Sequence, residues 1–348
     1  MTLTPLARRR LNNFKANKRG YYSLWVFLAL FGFSLFAELI ANDKPIVLRM
    51  NGETHFPVFE LVTEEEIGGE LPIEADYADP YVQNLIEEAD GWTINPLIPY
   101  SYDTIDLYID SAAPAQPSGK HWLGTDDGAK DTLARLIYGF RLSVAFGITL
   151  TLFSSLIGVA AGALQGYFGG LVDLIGQRLV EIWASLPTLL VLIILSSILE
   201  PSVYWLLIIL LFFSWMTLVA VVRAEFLRAR NFDYVRAARS LGVSNATIMR
   251  RHVLPNAMVA TLTYVPFILS GAVTTLTALD FLGFGLPAGS PSLGELMAQG
   301  KNNLHAPWLG LTGFFTLAIL LTLLIFVGEA ARDALDPRRT MQDPLMNR

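Results

Sequence analysis

Side chains that commonly carry enzymatic chemistry are few and widely separated in this sequence of 348 residues. Cysteine is absent, which excludes disulfides, zinc–thiolate sites and a cysteine nucleophile. The four histidines lie far apart, and the sequence has neither an HExxH metal motif nor a GxxxxGK(S/T) phosphate-binding loop. An intramembrane enzyme would need paired catalytic groups inside its apolar segments, and the sequence has no such pair. The sequence therefore predicts no catalytic residue and no metal ligand in this chain.

One set of hydroxyl side chains recurs with a helical period inside an uncharged apolar segment. The set is Thr263, Ser270, Thr274 and Thr277, spaced i, i+7, i+11 and i+14, which places them on one face of a helix. Pro266 is expected to kink that helix between the first two members. The face either lines a polar passage or serves close helix packing, and packing is favoured because small hydroxyl residues commonly mediate it.

A second polar set lies at the start of another apolar segment and consists of Asp173, Gln177, Arg178 and Glu181. Ionisable residues deep in a membrane often have a function. Here they fall in the first turns of the segment, where local i, i+3 and i, i+4 pairing is feasible. The sequence therefore favours a structural role for this set over a proton relay.

Composition then identifies the elements that must position these residues. Of all residues 53% are apolar and 16% are charged, against about a quarter charged in a soluble domain. The apolar residues form runs long enough for helices to cross a bilayer, which needs about 20 residues. The predicted spans are residues 21–40, 142–164, 171–199, 203–222, 257–279 and 308–328. The expected fold is an all-α membrane protein with six transmembrane helices, and the first span is expected to be an uncleaved anchor because its apolar run is too long for a signal peptide.

The positions of lysine and arginine predict the orientation. Residues 1–20 contain six basic and no acidic residues, and residues 223–256 contain seven arginines against two acidic residues. With six spans, both segments and the tail 332–348, which contains Arg338 and Arg339, lie on one side. Basic loops mark the cytoplasmic side, so both termini are expected in the cytoplasm.

A long segment on the opposite side is strongly acidic. Residues 41–131 contain 19 acidic and four basic residues, together with prolines and short apolar runs. This mixture predicts a small folded extracytoplasmic insertion and not a disordered acidic tail. Whether the insertion contacts a partner or is a solvated loop stays open. The resulting division is a tail at 1–20, a first helix at 21–41, the insertion at 42–134, and a core with five helices at 135–331.

Turn and cap residues predict two short helices between the fourth and fifth spans. Asn231 or Asp233 is expected to cap the first helix, and Gly242 lies where a left-handed residue would end it. Ser244 is expected to cap the second helix and Pro255 to stop it. The sequence thus predicts a helix pair at the membrane surface with a glycine turn.

The composition of this loop suits a docking element. Ala237 and Ala238 would let a partner backbone approach closely, and the arginines supply charge around them. A basic loop held against anionic lipid is the alternative that composition alone leaves open.

The spacing of the residues favours a docking element over a lipid-bound loop, because the loop resembles the characteristic cytoplasmic loop of ABC importer permeases. That pattern reads E-A-A, three residues, Gly, nine residues, Ile, one residue, Leu-Pro. The matching residues are Ala237, Ala238, Gly242, Leu254 and Pro255. Arg236 stands in place of the usual Glu and His252 in place of Ile, and the form R-H-V-L-P-N resembles the oligopeptide and dipeptide permease branch.

Further motifs in the same order extend the resemblance over roughly the last two-thirds of the chain. They are H-W-L-G-T-D at 121–126, G-Y-F-G-G at 166–170, S-L-G-E at 292–295, A-P-W at 306–308 and R-D-A-L-D-P at 332–337. A calcium loop is the rival interpretation of the first motif, but no EF-hand spacing follows. The motifs G-Y-Y-S-L-W at 20–25 and A-N-D-K-P at 41–45, with the long insertion, are similar to Yej-type permeases associated with microcin C uptake.

The resemblance implies a MetI-like type I importer permease in the bacterial inner membrane. The implied partners are a second homologous permease, a cytoplasmic ABC ATPase, a periplasmic solute-binding protein and the lipid bilayer, with no nucleic acid. No cofactor is expected in this chain, because ATP and Mg²⁺ belong to the ATPase. The residues expected to couple to the ATPase are Asp233, Arg236, Ala237, Ala238, Gly242, His252, Leu254 and Pro255. The implied cargo is peptides, including microcin C-like peptide-nucleotides, while dipeptides or nickel stay open and an ATP-independent channel or receptor subunit is disfavoured.

Overall fold

The computed structural model describes residues 5–109 and 111–335, and most of them are helical. The helices are α1 Pro5–Ala16, α2 Lys18–Leu35, α3 Ala37–Ile40, α4 Pro80–Glu88, α5 Thr132–Phe168, α6 Gly170–Ala184, α7 Thr188–Ile198, α8 Val203–Ser214, α9 Met216–Ala229, α10 Asp233–Ser240, α11 Asn245–Thr247, α12 Leu254–Phe281, α13 Leu293–Asn302 and α14 Pro307–Leu335. The strands are β1 Val47–Met50, β2 Glu53–His55 and β3 Trp92–Ile94. A π-helical segment, Ile248–Val253, joins α11 to α12. The predicted tail residues Arg338 and Arg339 lie outside the described residues.

Within the described residues, four helices are long and apolar enough to cross a bilayer. They are Thr132–Phe168, Val203–Ala229, Asn245–Phe281 and Pro307–Leu335. A fifth candidate is the pair α6 and α7, whose axes bend by 72° at a short break. The break contains Pro187, whose ring removes a backbone donor and prevents a straight continuation.

The first predicted span is helical but is not among these five candidates. Helix α2 begins at Lys18 and includes Arg19, so charges dilute the apolarity of an 18-residue helix. The chain breaks at Phe36 and continues for one turn as α3. The expected total of six transmembrane helices therefore stays a prediction, although the mostly helical membrane fold is present.

Helix α5 is much longer than its predicted span of 142–164. It begins at Thr132, because the Asp131 carboxylate accepts the backbone N–H of Ala134 at 2.8 Å and caps the first turn. Its 37 residues extend about 55 Å at 1.5 Å per residue, against about 30 Å of bilayer core. Helix α5 is therefore longer than the hydrocarbon core is thick, and its first turns pack against Ile98 of the insertion.

Helices α5 and α9 pack closely along a stripe of glycines. Gly158, Gly162 and Gly166 follow each other at intervals of four residues and lie on the face of α5 toward α9. A Cβ at Gly162 would lie 2.7 Å from the carbonyl oxygen of Val219, and one at Gly166 would lie 2.5 Å from that of Arg223. Because no side chain fits between the backbones, this contact requires glycine, as in other close membrane helix pairs.

The segment between α3 and α5 forms a small folded unit, in agreement with the predicted insertion. Its antiparallel sheet has the order β2-β1-β3, so the expected all-α class describes the helical part and misses this sheet. Asp79 caps α4, and Pro80 occupies its first turn, where a missing N–H costs nothing. The core of the unit contains Leu48, Met50, Val62, Ile67, Ala75, Val82 and Ile86. Burial of this apolar set explains why an acidic segment folds.

A buried ionic cluster joins the insertion to the start of α5. The imidazole Nδ1 of His121 lies 2.8 Å from Asp131 Oδ2, and its Nε2 lies 3.1 Å from Asp106 Oδ2. Burial works to lower the pKa of His121, but the hydrogen bonds and charges of Asp131 and Asp106 outweigh it, so the pKa is raised. The two carboxylates therefore stabilise the protonated form of His121 between them.

Arg135 of α5 is buried and extends the ionic contacts to α13. Arg135 Nη1 donates to Asp126 Oδ2 at 2.8 Å, and its Nη2 lies 3.0 Å from Glu295 Oε2 on α13. The other carboxylate oxygen of Asp126 accepts the backbone N–H groups of Gly128 and Lys130. The aspartate of the H-W-L-G-T-D motif therefore holds Arg135 of α5, and Arg135 in turn pairs with Glu295 of α13.

Replacing Gly162 tests the α5–α9 contact. Gly162→Leu is expected to cost about 3 kcal/mol of stability, because overpacking must push the two helices apart. The melting temperature of the purified protein in detergent measures the effect. The matched control is Gly32→Leu on α2, where an added Cβ meets nothing within 4 Å. Equal melting temperatures for the two variants would contradict the role of the stripe.

Replacing His121 tests the ionic cluster. His121→Leu leaves two carboxylates without their cation and is expected to cost about 3 kcal/mol at neutral pH. The folded pKa of His121 is raised, so its stabilisation is full below the unfolded pKa of about 6.5 and is lost as pH rises through the folded pKa. The melting temperatures of the wild type and of His121→Leu, measured between pH 5.5 and 9, should therefore converge at the alkaline end. The exposed His305→Leu is the control, and a gap that does not narrow with pH would refute the assignment.

Candidate functional site

The arginine-rich loop, residues 223–256, starts with the end of α9 and continues through α10. Helix α10 begins at Asp233 with Phe232 as its N-cap, and no side chain caps it. The predicted caps are therefore wrong, since the Asn231 amide instead donates to the carbonyl oxygen of Leu227 at 3.2 Å. Asp233 lies in the first turn, where its negative charge complements the helix dipole.

The turn after α10 has the geometry that its glycine allows. Gly242 has a φ of +77°, and the N–H of Val243 donates to the carbonyl oxygen of Ala238 at 3.1 Å. A Cβ at Gly242 would meet nothing within 4 Å, so the requirement for glycine comes from the backbone alone. Ser244 Oγ then accepts the N–H of Thr247 and caps the next helix, as its position predicts.

The prediction that Pro255 stops this second helix is wrong. Residues Asn245–Phe281 form one helix of 37 residues, with Pro255 in the first turn of α12. The preceding π-helical segment provides the reason, because the N–H of Leu254 donates to Met249, five residues back. A π-bulge shifts the register of the helix where proline lacks a donor. The loop is consequently continuous with the fifth predicted span.

A buried apolar cluster, called here the loop core, fastens the loop to three long helices. It consists of Ala163, Tyr167, Val222, Phe226, Ala229, Val235, Ala238, Ile248, Val253 and Ala257. Phe226, Val235 and Ile248 are fully buried in it. The Tyr167 hydroxyl also hydrogen-bonds to Asn245 Oδ1 at 2.7 Å, and the Arg239 guanidinium lies 5.5 Å from the Tyr167 ring centre. Movement of α10 must therefore be shared by α5, α9 and α12.

The other face of the loop is uncovered. Among the predicted coupling residues, Asp233, Arg236, Ala237, Gly242 and Pro255 are exposed, His252 and Leu254 are partly buried, and Ala238 packs into the loop core. The pair of alanines thus divides between the two faces. Leu241 is 83% exposed and Tyr234 is 43% exposed. Their seven-residue spacing places both near one helix face, which is a sequence signal for an apolar contact surface.

The same loop carries exposed arginines. Within the described residues, Arg236, Arg250 and Arg251 take part in no ion pair. Unpaired, exposed guanidinium groups on the same loop as a small apolar patch suit a carboxylate-bearing protein surface, because Arg forms bidentate hydrogen bonds with carboxylates.

The polar set at the start of α6 is paired, as the structural interpretation favours. Asp173 binds Arg223 of α9 through both carboxylate oxygens, with Arg223 Nη2 2.7 Å from Asp173 Oδ2. Gln177 donates to Gln165 of α5 at 2.8 Å, so the feasible Gln177–Glu181 pair does not form. Arg178 and Glu181 form an exposed pair at 2.5 Å. Since α6 has no buried residue, these polar contacts help to hold it against α5 and α9.

Three of the four residues of the predicted pathway face of α12 make hydrogen bonds within their own helix, and the role of all four in a pathway stays a prediction. The hydroxyls of Thr263, Ser270 and Thr274 donate to backbone carbonyls of the same helix at 2.6, 3.0 and 2.8 Å. Thr277 is buried, and its hydroxyl has no partner. Helix α12 runs on through Pro266.

A cavity of about 310 Å³, called here the membrane cavity, lies on a different face of α12. Its hydroxyl-bearing lining residues are Thr188, Ser214, Thr217, Tyr264 and Thr275. Gly271 forms part of the wall, and apolar side chains of α5, α7, α8 and α12 complete it. Sequence reasoning missed this face because the helical period groups residues by face but cannot tell which face the neighbouring helices leave open.

The sequence of the chain is similar to a family of transport proteins and to several of its members. Residues 154–341 match the family described as binding-protein-dependent transport system inner membrane component. The chain is 56% identical to the inner membrane ABC transporter permease protein YejE of Escherichia coli, over 97% of this chain and 99% of that protein. It is 58% identical to the peptidoglycan transport system permease protein YejE of Agrobacterium fabrum, over 97% of this chain and 95% of that protein. It is 33% identical to the oligopeptide transport system permease protein OppC of Mycobacterium bovis, over 71% of this chain and 85% of that protein.

Two carboxylates of α6, one paired with α9 and one paired within α6, allow a matched test of how α6 is held. Asp173→Ala is expected to cost about 1–2 kcal/mol, because it leaves a partly buried Arg223 without its bidentate partner. Glu181→Ala breaks an exposed pair and is expected to change stability by less than about 0.5 kcal/mol. Denaturant or thermal unfolding in detergent compares them. Equal losses would mean that Asp173 does not anchor α6.

Proposed function

Because the chain belongs to the family of binding-protein-dependent transport system inner membrane components, we propose that it is the permease subunit of an ATP-driven importer of peptides. The observation that carries this proposal is the arginine-rich loop, exposed on one face and joined by the loop core to α5, α9 and α12. Such a loop suits the transmission of movement from a separate motor protein. In this proposal the chain binds the ATPase, transmits its movement to the membrane helices and lines the path of the cargo. ATP hydrolysis takes place on the partner.

The contact with the ATPase is proposed at α10 and the glycine turn. Leu241 and Tyr234 offer exposed apolar side chains to a pocket on the partner, and Arg236, Arg250 and Arg251 offer charge on the same loop. The substitution of Arg236 for the usual Glu of this loop reverses the charge at that position, so a carboxylate on the ATPase is the complementary group. ATP and Mg²⁺ are proposed to bind the ATPase.

The path of movement follows from packing. A displacement of α10 presses Val235 against Phe226 of α9 and reaches Ile248 of the long helix that contains α12. Because packed interiors move as semi-rigid units, closing and opening of an ATPase dimer would tilt these helices together and alternate access to the two sides.

The proposed orientation places the arginine-rich loop and both termini in the cytoplasm. The support is the concentration of basic residues in 1–20 and 223–256 and the excess of acidic residues in 41–131. The insertion then faces the periplasm, where a solute-binding protein would deliver cargo. A second, homologous permease and lipid are proposed to cover the exposed apolar side chains of α6, such as Leu171 and Leu179.

Peptides are the proposed cargo class. The Agrobacterium relative is named for peptidoglycan transport and the mycobacterial relative for oligopeptide transport, and peptide-nucleotides of the microcin C type extend the same class. Dipeptides and nickel are the alternatives. The lining of the membrane cavity carries hydroxyls and no carboxylate or imidazole, which suits neutral peptide groups better than a divalent nickel ion.

The assembled complex provides the test of cargo and partners together. Affinity purification of this chain from native membranes should recover an ATPase and a second permease. After reconstitution with its binding protein, ATP hydrolysis should be stimulated by trialanine, a muramyl peptide or a peptide-nucleotide, but not by Ni²⁺. Recovery of the chain without an ATPase, or stimulation of ATP hydrolysis by Ni²⁺ alone, would contradict the proposal.

Gly242 gives a test of coupling through the turn. Gly242→Val places a β-branched residue at φ +77° and is expected to misplace α10, with uptake falling about tenfold, the equivalent of 1.4 kcal/mol. Gly242→Asn adds a side chain at the same point but tolerates the left-handed conformation, so its uptake should stay near the wild-type level. Radiolabelled peptide uptake by vesicles measures both variants. Normal uptake by Gly242→Val would count against coupling through this turn.

A further inference from the structure

We infer that the membrane cavity is a binding site for the main chain of a peptide in transit. This inference rests on the proposed function and adds to it a site within this chain, on a face of α12 other than the one predicted from the sequence. Helices α5, α7, α8, α9 and α12 contribute its walls, and it is open on the side where Thr217, Tyr264 and Gly271 are exposed.

Two hydroxyls of the cavity, those of Ser214 and Thr275, are arranged as acceptors. Ser214 Oγ donates to the carbonyl oxygen of Leu210 at 2.7 Å, and Thr275 Oγ1 donates to that of Gly271 at 2.9 Å. With their protons used in this way, both oxygens keep lone pairs that accept further hydrogen bonds. The N–H groups of a peptide main chain are donors that match them.

The lack of charged side chains in the cavity lining further restricts the class of ligand. Apart from the phenol of Tyr264, no lining residue is ionisable. Burying a charged group against such a wall would be costly, because no opposite charge compensates for lost hydration. The site therefore suits the neutral, repeating amide groups that all peptides share, and leaves charged termini and side chains to lie elsewhere.

An interrupted helix borders the cavity. Helices α6 and α7 bend by 72° at the break just before Thr188, whereas α8 and α9 continue through Trp215 as one span, Val203–Ala229. The indoles of Trp183 and Trp215 both donate to the carbonyl oxygen of Phe212, at 3.0 and 2.9 Å, and hold the end of α6 against this span. Irregular backbone at membrane depth is tolerated where it lines a cavity, and broken helices often form transport sites.

The size of the cavity sets the length of peptide that it holds. About 310 Å³ is at the small end of the range of about 300–1,000 Å³ for small-molecule sites. It accommodates a short stretch of main chain and not a whole oligopeptide. Gly271 leaves its wall open, since a Cβ there would meet nothing within 4 Å.

Gly271 makes a direct test possible. Gly271→Leu places a side chain in the cavity without a clash at its Cβ, and is expected to lower ATP-driven uptake of radiolabelled trialanine by the complete complex about tenfold. Gly32→Leu makes the same change in open space on α2 and should leave uptake unchanged. Melting temperatures and recovery of the second permease are measured for both variants, so that misfolding or lost assembly is recognised.

Labelling gives a second, independent measurement in this cysteine-free chain. Thr275→Cys should react with N-ethylmaleimide, and trialanine trapped in the complex with ATP and vanadate should slow that reaction. Ser270→Cys, on the face predicted earlier, should show no such protection. Both variants must retain uptake for the comparison to count, and Thr275→Ser replaces Thr275→Cys as a check on the hydroxyl if uptake is lost.

The outcomes separate this inference from the proposed function. If the wild-type complex takes up no peptide, the proposed function fails. If it transports but Gly271→Leu matches Gly32→Leu and Thr275→Cys is not protected, only the inference is overturned. Loss of the second permease from Gly271→Leu would identify the cavity as a subunit interface, and protection by lipid without peptide would identify it as a lipid site, and either result also overturns the inference.

Discussion

The close approach of α5 and α9 is the constraint on which the rest of the fold depends. Glycine at three successive turns lets the two backbones touch, and no other residue fits without separating them. Dispersion contacts and not the hydrophobic effect drive helix pairing within lipid, so close contact is the main source of stability there. The third glycine, Gly166, lies beside Tyr167 and Phe226, so the stripe ends in the loop core and sets where the arginine-rich loop can attach.

Helix α5 contacts the buried ionic cluster, the membrane cavity and the loop core. Its first turns carry Arg135 and are capped by Asp131, within the buried ionic cluster that reaches the insertion and α13. Leu150 near its middle lines the membrane cavity, and Tyr167 at its end enters the loop core. A rigid helix about 55 Å long therefore joins a site of proposed motor contact, a site of proposed peptide contact and the acidic insertion. Movement at one end of α5 has to be absorbed at the other two sites.

The sequence predicts those features that depend on one segment at a time. Apolar runs located four of the membrane helices and the bent pair, the left-handed Gly242 marked the turn, and motif spacing identified the ABC permease family, which the comparisons confirm. Features that depend on two segments were missed. The start of α5 is fixed by Asp131, whose second carboxylate oxygen is bound by His121. Pro255 is accommodated by a π-bulge, which the local sequence pattern does not predict. The open face of α12 depends on how α5, α7, α8 and α9 pack beside it, so helical periodicity alone groups hydroxyls by face but does not identify those that line the membrane cavity.

The attachment of α6 and α7 differs in kind from that of the other membrane helices. Helix α6 buries no residue, and its contacts include the Asp173–Arg223 pair, the Gln177–Gln165 hydrogen bond and the indole of Trp183 on Phe212. Polar contacts of this kind hold direction and distance but bury little area, so they allow rotation more readily than an interdigitated core does. Because Thr188 at the start of α7 lines the membrane cavity, a tilt of this pair would change the shape of the cavity while α5 and α9 stay in contact. Helix α6 is therefore held within this chain by polar contacts, whereas α5 and α9 are held together by the close backbone contact of the glycine stripe.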